Sequence, residues 1–395
     1  MSAAPGSRDN ARVRVTPVTR NLPEVDSDSR AHSARVAAHI TDNIRDAAGW
    51  IRFSKYMDLA MFAPGLGYYS AGATKIGAAG DFTTAPEMSA LFGATLARQV
   101  AQVLNVTGGD VLEFGAGSGK LARDLLQSLE KMGFEPRQYL ILEPSPDLRE
   151  RQRLFLQKEI PNWRSRVKWI DQLPKNFVGV MLANEVLDAM PIDLISWQAD
   201  GIYERGVVIS GDEFAWQDRL LASGALFDHA RTVNVAPGYV SEIHRAGTAF
   251  IGSLGDSLQH GAALLVDYGF LDHEYYHADR NSGTLMCHYR HRAHTDPFFL
   301  PGVQDITAHV NFSAMMDAAR SAGLEIEGFT TQARFLIACG ITDRLGEIDP
   351  ANAVQYLPLA NQAQRLLSPA EMGELFKVLA VGRGIDFPLL GFTRL

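Results

Sequence analysis

The chain has 395 residues, 46% of them hydrophobic, with a formal net charge of −8 and a sequence pI near 5.8. That length exceeds one typical domain and that apolar fraction supplies a sizeable core, so a main domain with additions is expected rather than two equal halves. The acidic balance excludes broad electrostatic binding to nucleic acid or anionic membrane, and no run approaches the roughly 18 apolar residues of a membrane helix. Two cysteines, Cys287 and Cys339, cannot make a disulfide framework and read as reduced thiols.

Residues 1–33 carry Ser, Pro, Asn and Arg without periodicity and read as a disordered tail. Arg8, Arg12, Arg14 and Arg20 give it a trace of transit-peptide character, but Pro17 and Pro23 interrupt any amphipathic face. The cytoplasm is the default compartment, with the mitochondrial matrix as the alternative for a eukaryotic chain. Residues 34–108 follow as a mostly helical region, with helical spacing over Val36–Ala48, Phe53–Phe62 and Met88–Leu104. Between them, Ala63–Ser70 is turn-rich and aromatic, and Lys75–Glu87 has the small and polar residues of an ordered, ligand-facing loop. Thr84, Pro86 and Glu87 make a helix start; for Asp81 and Glu87, local capping and a site role are both open.

The stretch Asp110–Lys120, Asp-Val-Leu-Glu-Phe-Gly-Ala-Gly-Ser-Gly-Lys, predicts a buried strand, a tight glycine turn and then a helix over 121–131. Glycine tolerates positive φ and lets a ligand approach the backbone, while the helix start offers free N–H donors. Glu113 before Gly115, Gly117 and Gly119 gives E-x-G-x-G-x-G, not the dinucleotide pattern G-x-G-x-x-G, and no phosphate-loop Lys-Ser/Thr pair follows. A second apolar run, Tyr139–Leu142, ends in Glu143. A carboxylate there accepts from both hydroxyls of an unphosphorylated ribose and repels a 2′-phosphate, which suits S-adenosyl-L-methionine better than NADP.

Ser145 onward begins the next helix, and Val167–Ile170 predicts a third strand ending in Asp171. The fourth, Phe177–Ala183, carries Asn184, Glu185 and Asp188 beyond its C-terminal edge, where ligands of open α/β sheets bind; a helix cap with first-turn acids is the plain alternative. An insertion at about 192–260 follows, with a hairpin over Ile195–Ile209 turning at Ala199-Asp200-Gly201 and a helix over Gly238–His260. Ala262–Asp267 is strand five. Thr284–Pro301 holds His288, His291 and His294 without a carboxylate among them, so it is read as a loop over the substrate channel or a packed structural loop, not as a metal site. Phe312–Gly323 predicts a helix, and Leu324–Phe329 and Phe376–Val381 predict strands six and seven, the last antiparallel.

Gly-Tyr-Tyr (67–69), Gly-Asp-Phe-Thr-Thr-Ala-Pro-Glu (80–87), the glycine loop (112–119) and Ala-Asn-Glu-Val-Leu-Asp-Ala-Met-Pro (183–191) together resemble one family. So do Asp-Tyr-Gly (267–269), the segment 283–292 and Gln-Asp-Ile-Thr-Ala-His-Val-Asn-Phe (304–312). The family is the MidA-like class I methyltransferases, which includes the mitochondrial arginine methyltransferase needed for respiratory complex I assembly; the resemblance spans roughly residues 40–385. It implies an α/β fold: a Rossmann-like seven-stranded class I methyltransferase sheet over 109–395, with the helical region before it and the insertion after strand four.

It also implies S-adenosyl-L-methionine as methyl donor, held by Glu113, Gly115, Gly117, Gly119, Glu143 and Asn184, with Asp171 either on the adenine amino group or simply an exposed loop aspartate. A guanidinium is a poor nucleophile, and carboxylates can orient it bidentately and localise its charge on the nitrogens that are not attacked. Glu185 is the first candidate for that role, then Asp188 or Glu87. The strand-four motif is not Asn-Pro-Pro-Tyr, which disfavours methylation of a base or glutamine nitrogen. The expected partner is a protein substrate of the respiratory complex I subunit type, with no nucleic acid and no membrane insertion. A homodimer is one open option for the oligomeric state. A methyltransferase for a small molecule or another residue type, and a non-catalytic assembly factor retaining the fold, are the alternatives.

Overall fold

The computed structural model describes residues 22–71 and 83–393. The expected tail over 1–21, and the part of the ligand-facing loop that carries Asp81, lie outside them. Chain order begins with α1 (Ser27–Asp46), β1 (Ile51–Arg52), α2 (Phe53–Phe62), α3 (Ala85–Met88) and α4 (Ala90–Thr107). Asp26 caps α1 by accepting from the Ser29 N–H at 2.8 Å, and Val36, Ile40 and Ile44 bury one stripe of it. The helix therefore starts inside the stretch read as tail, whose mostly polar residues 27–32 form its first turns. Ser89 caps α4, and Gly108 ends it in the left-handed region at φ 56°.

Next come β2 (Asp110–Phe114), α5 (Lys120–Lys131), β3 (Tyr139–Leu142), α6 (Pro146–Glu159), β4 (Val167–Ile170) and β5 (Phe177–Asn184). Between β5 and the next strand of the central sheet come β6 (Asp193–Gln198), β7 (Gly201–Ser210), β8 (Glu213–Leu220), α7 (Ala225–Ala230), β9 (Tyr239–Ile243) and α8 (Arg245–Ser257). The chain continues with β10 (Leu258–Phe270), α9 (Asp272–Tyr275), β11 (Met286–Tyr289), β12 (Arg292–His294), β13 (Asp305–Thr307) and β14 (Val310–Asn311). It closes with α10 (Phe312–Ser321), β15 (Glu325–Thr331), α11 (Gln332–Ala338), α12 (Ile341–Gly346), α13 (Ala353–Leu367) and β16 (Phe376–Arg383).

The central sheet is mixed, in the order β15-β16-β10-β5-β2-β3-β4, with β14 pairing β10 near its C-terminal end. β10, β5, β2, β3 and β4 run parallel, and β16 is antiparallel to both neighbours, as expected for the last strand. Both faces are covered, so alternate residues of one strand enter different cores. Val111, Val180 and Leu264 pack with α4, α5 and the 335–366 helices, while Leu112, Met181 and Ala263 pack with α8 and α10. Along the N-terminal edge of the parallel strands, a Cβ on Gly109 would lie 2.1 Å from the Val178 carbonyl oxygen, one on Gly179 2.0 Å from that of Asp110, and one on Gly261 1.9 Å from that of Gly179. Those glycines let three strands approach where any side chain would part them.

A second sheet, β1-β7-β6-β9 with β8 on β7, joins the N-terminal residues to the segment 193–243: Ile51 pairs Val207 across it. α1 and α2 pack on it with Cys287 and Ile306 from the segment after β10, in one core. The expected hairpin is present as β6 and β7. The helix expected over Gly238–His260 is not continuous: Tyr-Val-Ser-Glu-Ile at 239–243 pairs with β6 as β9, and only Arg245–Ser257 is helical. Tyr, Val and Ile are strand-favouring residues, and the edge of β6 gives them a partner there. Within the segment 284–301, β11 and β12 pair with each other and β11 with β13 in a small sheet, in keeping with the packed structural alternative.

Candidate active site

At the C-terminal ends of β2, β3 and β5 lies a cavity of roughly 330 Å³. That is large enough for a cofactor-sized ligand, and this is where ligands bind open α/β sheets. The glycine loop forms its floor: Gly115, Gly117 and Gly119 stand at φ 60°, 54° and 86°, all in the left-handed region. Gly115 and Gly117 line the cavity, and Gly119 caps α5 without a side-chain hydrogen bond, leaving first-turn N–H groups uncapped.

Glu113 lines the wall, but its carboxyl accepts from the Tyr139 hydroxyl at 2.7 Å, and burial pushes its pKa up to about 7. Glu143 also lines it. One oxygen accepts from the Ser145 N–H at 3.0 Å and the other from Gln152 Nε2 at 3.2 Å. A carboxylate has about four lone-pair positions, so these bonds orient Glu143 and leave acceptor capacity for a ribose diol. Gln152 also donates to the Gly117 carbonyl at 3.0 Å and accepts from Trp169 Nε1 at 2.8 Å, locking the loop to β3 and β4. Its role was not legible in the sequence, because a lone Gln on a polar helix carries no motif.

Asp171 is not brought to this cavity. Its side chain is 83% exposed and pairs with Arg149 at 2.7 Å, which matches the alternative of an exposed loop aspartate rather than an adenine contact. Arg149 also donates to the Glu143 and Ile170 carbonyls and so gathers the ends of β3 and β4; Asp171 is drawn into that outer cluster. Beside Glu143 the wall is Leu142, Pro144 and Leu148.

Asn184 ends β5 and lines the cavity with Glu185; a non-helical turn follows, so neither residue opens a helix. The Asn184 Oδ1 is buried without a partner. Glu185 holds φ 53°, a left-handed conformation that a side chain rarely adopts, and its N–H donates to the Val266 carbonyl at 2.8 Å. Its carboxyl accepts from Asn184 Nδ2 at 3.0 Å and from the Ala85 N–H at 3.4 Å. Burial, then the Asp188 charge, pushes its pKa up to about 8.

Asp188 does not line the cavity; it is buried beside Asp267 and hydrogen-bonds the Tyr268 side chain. Asp267 accepts from the N–H groups of Leu187 at 2.9 Å, Asp188 at 3.2 Å and Tyr268 at 2.9 Å, pinning the turn that carries Glu185. Gly269 completes that motif: a Cβ there would lie 2.0 Å from the Val310 carbonyl oxygen of β14. Glu87 does line the cavity, and its carboxyl takes the Ser118 hydroxyl and the Lys120 ammonium, the latter at 2.7 Å. On the remaining side stand Phe62 and Tyr69, stacked at 5.5 Å, with the Tyr69 hydroxyl donating to Asp305 at 3.1 Å.

The cavity thus joins the glycine loop and the Glu143 carboxyl to the buried Glu185 carboxyl in a strained turn. A profile described as "Putative S-adenosyl-L-methionine-dependent methyltransferase" matches residues 95–330, more than half of the chain. The chain is similar to a Burkholderia thailandensis protein whose crystal structure holds S-adenosyl-homocysteine: 51% identity, TM-score 0.92, 95% of this chain and 98% of that one. It is also 28% identical to a zebrafish (Danio rerio) protein named protein arginine methyltransferase NDUFAF7, mitochondrial, over 95% of this chain and 97% of that protein. The human protein of that name is 28% identical over 85% and 80%. The chain belongs to the MidA-like family of S-adenosyl-L-methionine-dependent methyltransferases.

Proposed function

We propose that this methyltransferase acts on the guanidinium of an arginine in a protein, with Glu185 as the group that orients it. The observation that carries the reading is the buried Glu185 carboxyl in the cavity wall, backed by Asp188 and braced by Asp267. The names of the zebrafish and human relatives support the arginine step. Glu143, the glycine loop and Asn184 are the residues that hold S-adenosyl-L-methionine. When bound, it supplies an electrophilic methyl group on a positively charged sulfur.

Glu185 in its charged form takes two N–H groups of the guanidinium, localises charge on them and leaves the third nitrogen aligned for attack; such alignment is worth several kcal/mol. The methylated nitrogen sheds one proton, which the Glu185 carboxylate accepts. Phe62 and Tyr69 wall the acceptor side and keep water out. The path β15-β16-β10-β5-β2-β3-β4 is read as the seven-stranded methyltransferase sheet, with β14 as an addition. The sheet of β1 and β6–β9 is read as a body that presents the protein substrate.

A respiratory complex I-type subunit is the proposed acceptor protein. The cytoplasmic placement expected from the sequence and the mitochondrial naming of the animal relatives both fit reduced thiols, and Cys287 and Cys339 are buried and unbonded. Among the described residues no helix is long and apolar enough to cross a membrane.

The test uses methyl-tritiated donor, the purified chain and extract from cells lacking it. Acid hydrolysis and chromatography of the labelled protein should return methylarginine. Label in another amino acid or only in small molecules refutes the arginine reading; failure to bind S-adenosyl-homocysteine would make the chain a non-catalytic assembly factor.

A further inference from the structure

We propose that Glu87 and Lys120 form a clamp for the α-amino-acid end of the donor, Glu87 taking its ammonium and Lys120 its carboxylate. The inference rests on the reading that the cavity takes S-adenosyl-L-methionine. Such a molecule carries three kinds of polar group: a ribose diol, a sulfonium and a zwitterionic terminus. The cavity matches the first with Glu143, held to one side of the glycine loop through Gln152 and the Gly117 carbonyl. On the other side of the same loop stand Ser118 and Lys120, and opposite them Glu87, brought in by α3.

Glu87, Ser118 and Lys120 all line the cavity. The Glu87 carboxyl is 7% exposed and the Lys120 side chain 34%, with 2.7 Å between them. A pair of opposite charges set into a cavity wall suits a ligand that itself carries both charges; a neutral nucleoside gains nothing from it. Bound zwitterion and wall pair then make four alternating charges, each flanked by its opposite. The uncapped first turn of α5 adds N–H donors on the carboxylate side, where a negative group is favoured. The acidic member comes from outside the sheet domain, so α3 closes one end of the cofactor site, while the neighbouring Ala85 N–H touches Glu185.

The test is isothermal titration calorimetry on the full chain with two ligands: S-adenosyl-homocysteine, and 5′-methylthioadenosine, which keeps the nucleoside thioether and lacks the amino-acid end. Wild type should prefer S-adenosyl-homocysteine by about 100-fold or more. Glu87→Gln and Lys120→Met should each weaken S-adenosyl-homocysteine by about 10- to 100-fold and leave 5′-methylthioadenosine within about threefold, which also reports an intact site. Equal losses on both ligands would show that the pair only braces the loop, and unchanged S-adenosyl-homocysteine affinity in both variants would show that other groups hold the terminus; either overturns the clamp. A wild-type chain that binds neither ligand refutes the cofactor reading itself, a distinct result.

Discussion

Glu185→Gln removes the charge on which the acceptor site depends, and its effect on stability has a definite sign. The wild-type carboxyl is pushed from 4.5 to about 8 by burial and by Asp188. In the folded chain it stays protonated to higher pH than in the unfolded chain, so stability from this group is full below about pH 4.5 and is lost as pH rises toward 8. At 1.36 kcal/mol per pH unit the loss is at most about 5 kcal/mol, and contact with the cavity lowers that to roughly 2–4. Glutamine keeps the volume and a neutral group at every pH. The variant should therefore gain on wild type between pH 5 and pH 9, by several degrees of melting temperature for a chain of this size. Thermal melts of both proteins at the two pH values, with S-adenosyl-homocysteine binding as a control for folding, measure it. A melting difference that is the same at pH 5 and pH 9 would falsify the claim that Glu185 is a protonated carboxyl held ready for a cation.

The methylation rate should rise about tenfold per pH unit below pH 8 under limiting acceptor, and Glu185→Gln should abolish activity at every pH; a wild-type rate flat from pH 6 to 9 contradicts the role of the charged form. Glu143→Gln sets an amide NH₂ against Gln152 and should weaken S-adenosyl-homocysteine by about 10- to 100-fold in calorimetry; an affinity within twofold of wild type removes Glu143 from the ribose. Asp267→Asn keeps one carbonyl acceptor for three N–H donors and should cut label transfer about 10- to 100-fold while S-adenosyl-homocysteine binding holds. Parallel loss of both would mean that Asp267 supports the whole site rather than the Glu185 turn. Gly179→Ala, with φ 134° and a Cβ 2.0 Å from the Asp110 carbonyl oxygen, should cost about 3 kcal/mol or more in denaturant unfolding. Gly211→Ala, at φ 66° with nothing within 4 Å, should cost only about 1 kcal/mol.

By itself the sequence determined the parts whose causes are local. The apolar runs at 110–114, 139–142 and 167–170, the alternating glycines and Glu143 at a strand end state their own geometry, because strand period, positive φ and a helix start are read from neighbours a few residues apart. Tertiary structure alone decided which charges face the cavity. Asp171 is drawn outward by Arg149, Glu87 is taken by Lys120 from 33 residues away, and Asp188 meets Asp267, Tyr268 and the Ala308 N–H. It also decided that 239–243 is a strand, since β6 offers an open edge, and that Ile51 joins the sheet of Val207. A carboxylate's partner is chosen by distance in space and by the cost of burying it alone, and neither is written in the residues beside it.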